Sequence, residues 1–221
     1  MADRASALAH LRAADPVLRR VIDANPELVP RSWLKELPTM DAFGALIFQV
    51  AGQQLSVAST RRILERLWAG FDGRNPTPAE LLAVDPAVLR ATGLSGRKVE
   101  TLRAVAQAFT DGTIDPDALA SMSDDEILER LTAIKGIGPW TVQGMLIVAL
   151  DRPDVVLPGD LALRKAIQRV YGLEALPTPD EVRELAEAWR PYRSLATAYL
   201  FGAGREEDAT TAAAAVETEE S

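Results

Sequence analysis

Apolar residues along this chain recur at helical spacing and almost nowhere alternate. Leu8 and Leu11, then Leu18, Val21 and Ile22, predict two short helices near the N-terminus. Phe43, Leu46, Ile47 and Val50 make one helix face, and Ile63, Leu64 and Leu67 a second. Val99, Leu102, Val105 and Phe109 follow the same rule. The helix starts are marked chemically. Thr77-Pro78-Ala79-Glu80 and Thr178-Pro179-Asp180-Glu181 each set a hydroxyl N-cap, a proline in the first turn and a glutamate three residues on. Ser123 and Glu126 repeat the capping pair, and Asp85-Pro86 and Asp115-Pro116 add two more starts. Gly93, Gly112 and Gly172 stand where C-caps fall. No strand and no internal repeat emerges, so the pattern predicts an all-α protein of roughly ten short helices.

Composition narrows the chemistry. With 221 residues, 48% of them hydrophobic, the chain can bury a core as one large domain or two small lobes. It has no cysteine, which removes disulfides, thiolate metal sites, iron–sulfur clusters and cysteine nucleophiles. The single histidine, His10, excludes His-based metal centres and Ser-His triads. No apolar run reaches the ~20 residues of a membrane span, and Met1 to Leu11 lacks a signal-peptide core. A cytoplasmic protein without a cofactor is expected, nucleoid-associated if bacterial. The net charge of −8 argues at first against a nucleic-acid partner. Its distribution weakens that argument. Residues 205–221 hold six acids and one base, a net of −5 that leaves −3 for the rest. That alanine-, threonine- and glutamate-rich tail reads as disordered.

The most informative segment is Leu131-Thr-Ala-Ile-Lys-Gly-Ile-Gly-Pro-Trp-Thr141. A helix from Asp125 to Ile134 is expected to end at Gly136-Ile137-Gly138, with another beginning near Pro139. Two glycines flanking one apolar residue allow a tight hairpin with positive φ. They also let the backbone approach a ligand closely. The amides that open the next helix would then offer a phosphate site that needs no lysine. Taken alone, the same residues equally describe a helix–helix turn in which Ile137 packs and the glycines only cap.

The hairpin has company. Some twenty residues on, Leu157-Pro158-Gly159-Asp160-Leu-Ala-Leu-Arg164 leads into a further helix. Three other stretches are Ala51-Gly-Gln-Gln-Leu-Ser56, Gly93-Leu-Ser-Gly-Arg-Lys98 and Glu187-Ala-Trp-Arg-Pro-Tyr-Arg-Ser194. Together these motifs resemble the helix-hairpin-helix (HhH-GPD) DNA glycosylase superfamily, and within it the 3-methyladenine DNA glycosylase II branch. The resemblance covers about residues 10 to 204. It implies an all-α, two-lobed fold without the extra N-terminal β domain of longer members. One lobe would combine residues 1–40 with 153–204 and carry a catalytic aspartate. The other, 41–152, would end in the helix-hairpin-helix.

The resemblance also implies the activity: base-excision repair by monofunctional hydrolysis of the N-glycosidic bond of alkylated purines such as 3-methyladenine, with the nucleotide flipped out. The partner would be double-stranded DNA with a damaged base, bound by a monomer. Asp160 matches the catalytic aspartate, and as a helix N-cap its position has a structural reading too. The two agree, since an anion at the positive end of a helix dipole can stabilise cationic charge developing on the sugar. Trp140 stands where strand-cutting members carry a Schiff-base lysine, which implies a monofunctional enzyme. Its ring could attract a cationic alkylated base, or cap the hairpin as core. Phe201, Tyr192 and Phe43 are further base-pocket candidates, with core the stronger reading for Phe43 and for Trp189. Gly144 replaces a tyrosine of some relatives and suggests a roomier or differently shaped pocket. Gln53-Gln54-Leu55 matches the loop that fills the gap left by the flipped nucleotide. Lys135, Gly136, Ile137, Gly138 and Thr141 would form the DNA-binding hairpin. Arg97, Lys98 and Arg164 are phosphate candidates. No side chain suggests a metal site, although hairpin carbonyls in this family hold a monovalent cation. The alternatives are a non-catalytic helix-hairpin-helix module, which needs no Asp160, or a glycosylase for another damaged base.

Overall fold

A computed structural model describes residues 4–30 and 32–203; the expected acidic tail, 205–221, lies outside them. In chain order the α-helices are α1 (Arg4–Ala14), α2 (Pro16–Ala24), α3 (Ala42–Gly52), α4 (Val57–Ala69), α5 (Pro78–Ala83), α6 (Pro86–Ala91) and α7 (Gly96–Thr110). Then follow α8 (Pro116–Leu119), α9 (Asp124–Thr132), α10 (Pro139–Val148), α11 (Leu161–Tyr171), α12 (Pro179–Ala186) and α13 (193–203). Two 3-10 turns, Ser32–Glu36 and Glu187–Trp189, complete the set. The described residues contain no strand. They hold more helices than the periodicity predicted, because elements as short as α6 and α8 give a start signal, Asp-Pro, but no readable apolar period. No helix among them is long and apolar enough to cross a membrane.

The caps explain why the helices begin where they do. Asp15, Asp41, Ser56, Thr77, Asp85, Ser95, Asp115, Ser123, Asp160 and Thr178 each accept a backbone N–H in the first turn of the helix they precede. Thr77, Ser123 and Thr178 form full capping boxes with Glu80, Glu126 and Glu181. Helix α10 differs: its N-cap is Gly138, with no side-chain cap.

The chain divides into two compact units. One spans Trp33–Asp151, with α3 at its centre. The sequence pattern marked a single apolar face on α3, but Ala42, Phe43, Ala45, Leu46, Ile47, Val50 and Ala51 are all buried. A helix apolar all round is an interior helix, and α3 packs against α4, α7 and α10. Phe43 is therefore core rather than pocket: it is 3% exposed and its ring lies 5.5 Å from that of Phe109. Residues 33–40, expected with the N-terminal helices, group here instead. Glu36 pairs with Arg61 on α4 at 3.1 Å, and the Thr39 carbonyl accepts from Asn75 at 3.1 Å.

The other unit joins the residues up to Ser32 with those from Arg152 on. Leu11, Leu18, Ile22, Trp189 and Tyr199 are fully buried in it. Asp15, 5% exposed, sits among them. Its Oδ1 accepts from the Val17 and Leu18 amides at 2.8 and 3.1 Å. Its Oδ2 accepts from Trp189 Nε1 at 2.9 Å and from the Tyr171 hydroxyl. Burial works to raise the Asp15 pKa, yet the donors from Tyr171, Trp189, Leu18 and Val17 outweigh it and hold it below its ordinary value. Burial and the Asp15 charge push the Tyr171 phenol up.

Candidate active site

In the Trp33–Asp151 unit, the hairpin between α9 and α10 is built by two glycines with different duties. Gly136 has φ +93° and Gly138 has φ −111°, so only the first needs the left-handed region. Gly136 is also held by contact: a Cβ built on it would lie 2.0 Å from Thr101 Oγ1. At Gly138 a Cβ would meet nothing within 4 Å. Ile137 between them is buried. The hairpin is thus anchored by Ile137 and Gly136, while the Gly138 backbone faces open space at a helix start without a side-chain cap. Lys135 beside it is exposed.

The loop between α3 and α4 meets this hairpin. Gln53 Nε2 donates to the Gly136 carbonyl at 3.2 Å and to Thr141 Oγ1 at 3.0 Å. Gln54 is exposed with φ +59°, and Leu55 and Val57 are 42% and 84% exposed. The loop tip so presents Gln54 and Leu55 to solvent while Gln53 turns inward.

Two phosphate candidates have other partners. Lys98 Nζ donates to the carbonyls of Ala51 and Gln53, each at 2.8 Å, and burial lowers the Lys98 pKa. Arg164 Nε donates to the Pro177 carbonyl at 2.6 Å, tying α11 to the start of α12. Each of these half-buried cations thus spends at least one donor on an internal carbonyl. Arg97, like Lys135, is exposed.

Asp160 belongs to the other unit. Val155, Val156, Leu157 and Pro158 are buried, Gly159 is exposed and Asp160 is half-buried. The start of this segment is fastened to α13. Arg193 reaches Asp154 Oδ1 at 2.8 Å and its carbonyl at 2.7 Å. Ser194 Oγ donates to the Arg152 carbonyl at 2.7 Å and accepts from the Val155 amide at 3.0 Å. At the other end Asp160 N donates to the Leu157 carbonyl at 3.0 Å, and Oδ1 accepts from Leu163 N at 2.8 Å. The backbone of Asp160 is thus tied to the preceding segment, and one oxygen of its carboxylate to the helix it caps.

The aromatic candidates separate. Trp140 is half-buried in the first turn of α10. Gly144 lies one turn on along the same face, and the space beside it is filled from another helix. A Cβ there would lie 2.4 Å from the Gln49 carboxamide, so Gln49 occupies that space. Tyr192 is half-buried with its ring edge-on to His10 at 5.4 Å, and Phe201 is half-buried on α13. Trp189 is core. Sequence reasoning missed Thr101, Gln49 and Asp154 entirely. Arg193 and Ser194 lie inside a recognisable motif whose local pattern gives no sign of their contacts with Asp154 and Arg152. No group of three or more His, Cys, Asp or Glu residues suited to a metal occurs among the described residues.

A helix-hairpin-helix whose second helix has no side-chain cap, followed in the chain by an N-cap aspartate on an anchored segment, fits one class of protein. The chain belongs to the HhH-GPD superfamily of base excision DNA repair proteins, whose family model matches residues 47–191. It is similar to DNA-3-methyladenine glycosylase 1 of Schizosaccharomyces pombe, 35% identical over 204 residues that cover 91% of this chain and 88% of that protein. DNA-3-methyladenine glycosylase 2 of Escherichia coli is 28% identical, with 81% and 67% covered. A solved structure of the Schizosaccharomyces pombe 3-methyladenine DNA glycosylase in complex with abasic DNA matches with a TM-score of 0.82 at 33% identity. It covers 89% of this chain and 95% of that one. The expected all-helical glycosylase fold is therefore the fold observed.

Proposed function

We propose that this protein is a monofunctional DNA glycosylase that binds double-stranded DNA as a monomer, flips out an alkylated purine of the 3-methyladenine type and hydrolyses its N-glycosidic bond. The observation that carries the reading is Asp160: a carboxylate held as the N-cap of α11 by its contact with Leu163, on a segment anchored through Arg193 and Ser194. Breaking the bond leaves cationic charge on the sugar. A preorganised carboxylate stabilises that charge and orients the water that adds as the base departs. Trp140 at the start of α10 supplies no amine, so no Schiff base forms and the product is an abasic site. Its electron-rich ring favours a cationic base. The bare start of α10 at Gly138 suits a phosphate, and the exposed Gln54–Leu55 tip suits the gap left by the extruded nucleotide. The unit from Arg152 onward would thus bring the chemistry, and the Trp33–Asp151 unit the grip on DNA.

The test is base release from duplex oligonucleotides that each carry one lesion, with borohydride present in parallel. Release of an alkylated purine, strand breaks only after alkali and no trapped protein–DNA adduct are expected. A trapped adduct would overturn the monofunctional reading. Binding without release from any lesion would leave a non-catalytic DNA-binding module.

A further inference from the structure

We propose that Lys98, Thr101 and Gln53 form a junction that locks the Gln54–Leu55 loop to the hairpin, and that Lys98 and Gln53 are positioning residues for base extrusion. This rests on the reading that the loop enters the duplex. Three elements meet in the junction. Helix α7 contributes Lys98 and, one turn on, Thr101. The end of α3 contributes the carbonyls of Ala51 and Gln53, both accepting from Lys98 Nζ at 2.8 Å. The hairpin contributes Gly136, seated on Thr101, and Thr141, a residue 1% exposed whose hydroxyl oxygen accepts from Gln53 Nε2 at 3.0 Å.

The chemistry of each bond suits a fixed joint. The last carbonyls of a helix have no partner within it, and the end of its dipole is negative. A cation there makes charge-assisted bonds, stronger than neutral ones. An ammonium has three protons and the Gln53 carboxamide two; the carboxamide spends its two on Gly136 O and Thr141 Oγ1. The residue just beyond, Gln54, stands at φ +59°. A non-glycine residue in that region persists where its surroundings over-determine it. Here Lys98 grips the carbonyl of Gln53, and the Gln53 side chain grips the hairpin. A load on the loop tip is therefore carried to the element proposed to hold phosphate, and the loop shifts only if several hydrogen bonds break.

Lys98→Met keeps the length of the side chain and removes the charge. Three measurements on the full chain follow: salt-dependent affinity for undamaged duplex, extrusion reported by 2-aminopurine next to the lesion, and single-turnover excision. The variant is expected to bind undamaged duplex within about twofold of the parent, with the same salt slope. Extrusion and excision are expected to fall on the order of 10- to 100-fold, the scale of a small misplacement. Gln53→Leu removes only the links to the hairpin and should show the same split, which keeps the test open if Lys98→Met fails to fold. The double variant should lose less than the product of the two single losses, because both act on one joint. A salt slope reduced by about one with uniformly weaker binding would make Lys98 a phosphate contact and overturn the proposal. Unchanged extrusion in both variants would overturn it too. Absence of extrusion and excision in the parent protein would instead count against the proposed function.

Discussion

Gly136 is pressed against Thr101: a Cβ on the glycine would stand 2.0 Å from the threonine hydroxyl oxygen, at a backbone φ of +93°. Two residues on, Gly138 lies at φ −111° and faces open space. The hairpin thus uses one glycine for its own fold and leaves the other available to a ligand.

Substitution should separate the two. Gly136→Ala combines left-handed strain with overpacking and is expected to cost about 2–4 kcal/mol. Gly138→Ala meets neither strain nor a neighbour and should cost at most about 1 kcal/mol, the preference of an N-cap for glycine over alanine. It should nevertheless weaken binding to damaged and undamaged duplexes alike, since the added methyl stands where a phosphate would approach. Urea denaturation and duplex titrations on both variants check this. A large stability loss at Gly138, or undisturbed DNA binding, would contradict the division of roles.

Asp160→Asn keeps a side chain able to cap α11 but removes its charge. Excision should fall by orders of magnitude, in line with ~3–4 kcal/mol for a preorganised electrostatic group. Thermal stability and duplex affinity should stay near those of the parent. Near-normal single-turnover excision would reject Asp160 as the catalytic carboxylate.

Asp15 sets an acid limit on the fold. Its folded pKa lies below the ordinary 3.8. Its contribution to stability is therefore complete above about 3.8 and is lost as the pH falls through the folded value. Asp15→Asn turns an amide toward the Tyr171 and Trp189 donors and should cost about 2–4 kcal/mol at neutral pH. The gap between variant and parent should narrow on acidification below the ordinary aspartate range. Denaturation midpoints across that range test the sign; a gap that widens would refute it.

The grip on DNA should depend weakly on salt. With Lys98 and Arg164 aimed at internal carbonyls, fewer cations remain for phosphates than the sequence offered. The slope of log affinity against log salt is expected on the order of −2 to −4. A slope near −8 would mean that a basic surface dominates and the hairpin amides are minor.

What the sequence by itself determined is what lies within a few residues of its own signal. The capping boxes, the proline-first helices, the hairpin glycines and Asp160 at the head of α11 were all legible, because an N-cap and its amide are three residues apart. Tertiary structure alone decided the partners of long or buried side chains. Lys98 finds its carbonyls 45 and 47 residues away, and Gln53 finds Gly136 across 83. Asp15 meets Trp189 across 174 residues, though locally it looks like any Asp-Pro helix start. Gln49 fills the space beside Gly144, and Thr101 supports Gly136, with no local pattern to announce either. A lysine on a helix face carries the same sequence signal whether it meets solvent, a phosphate or a carbonyl. Packing between distant segments chooses among them, since burial makes an unpartnered cation costly and places a carbonyl within its reach.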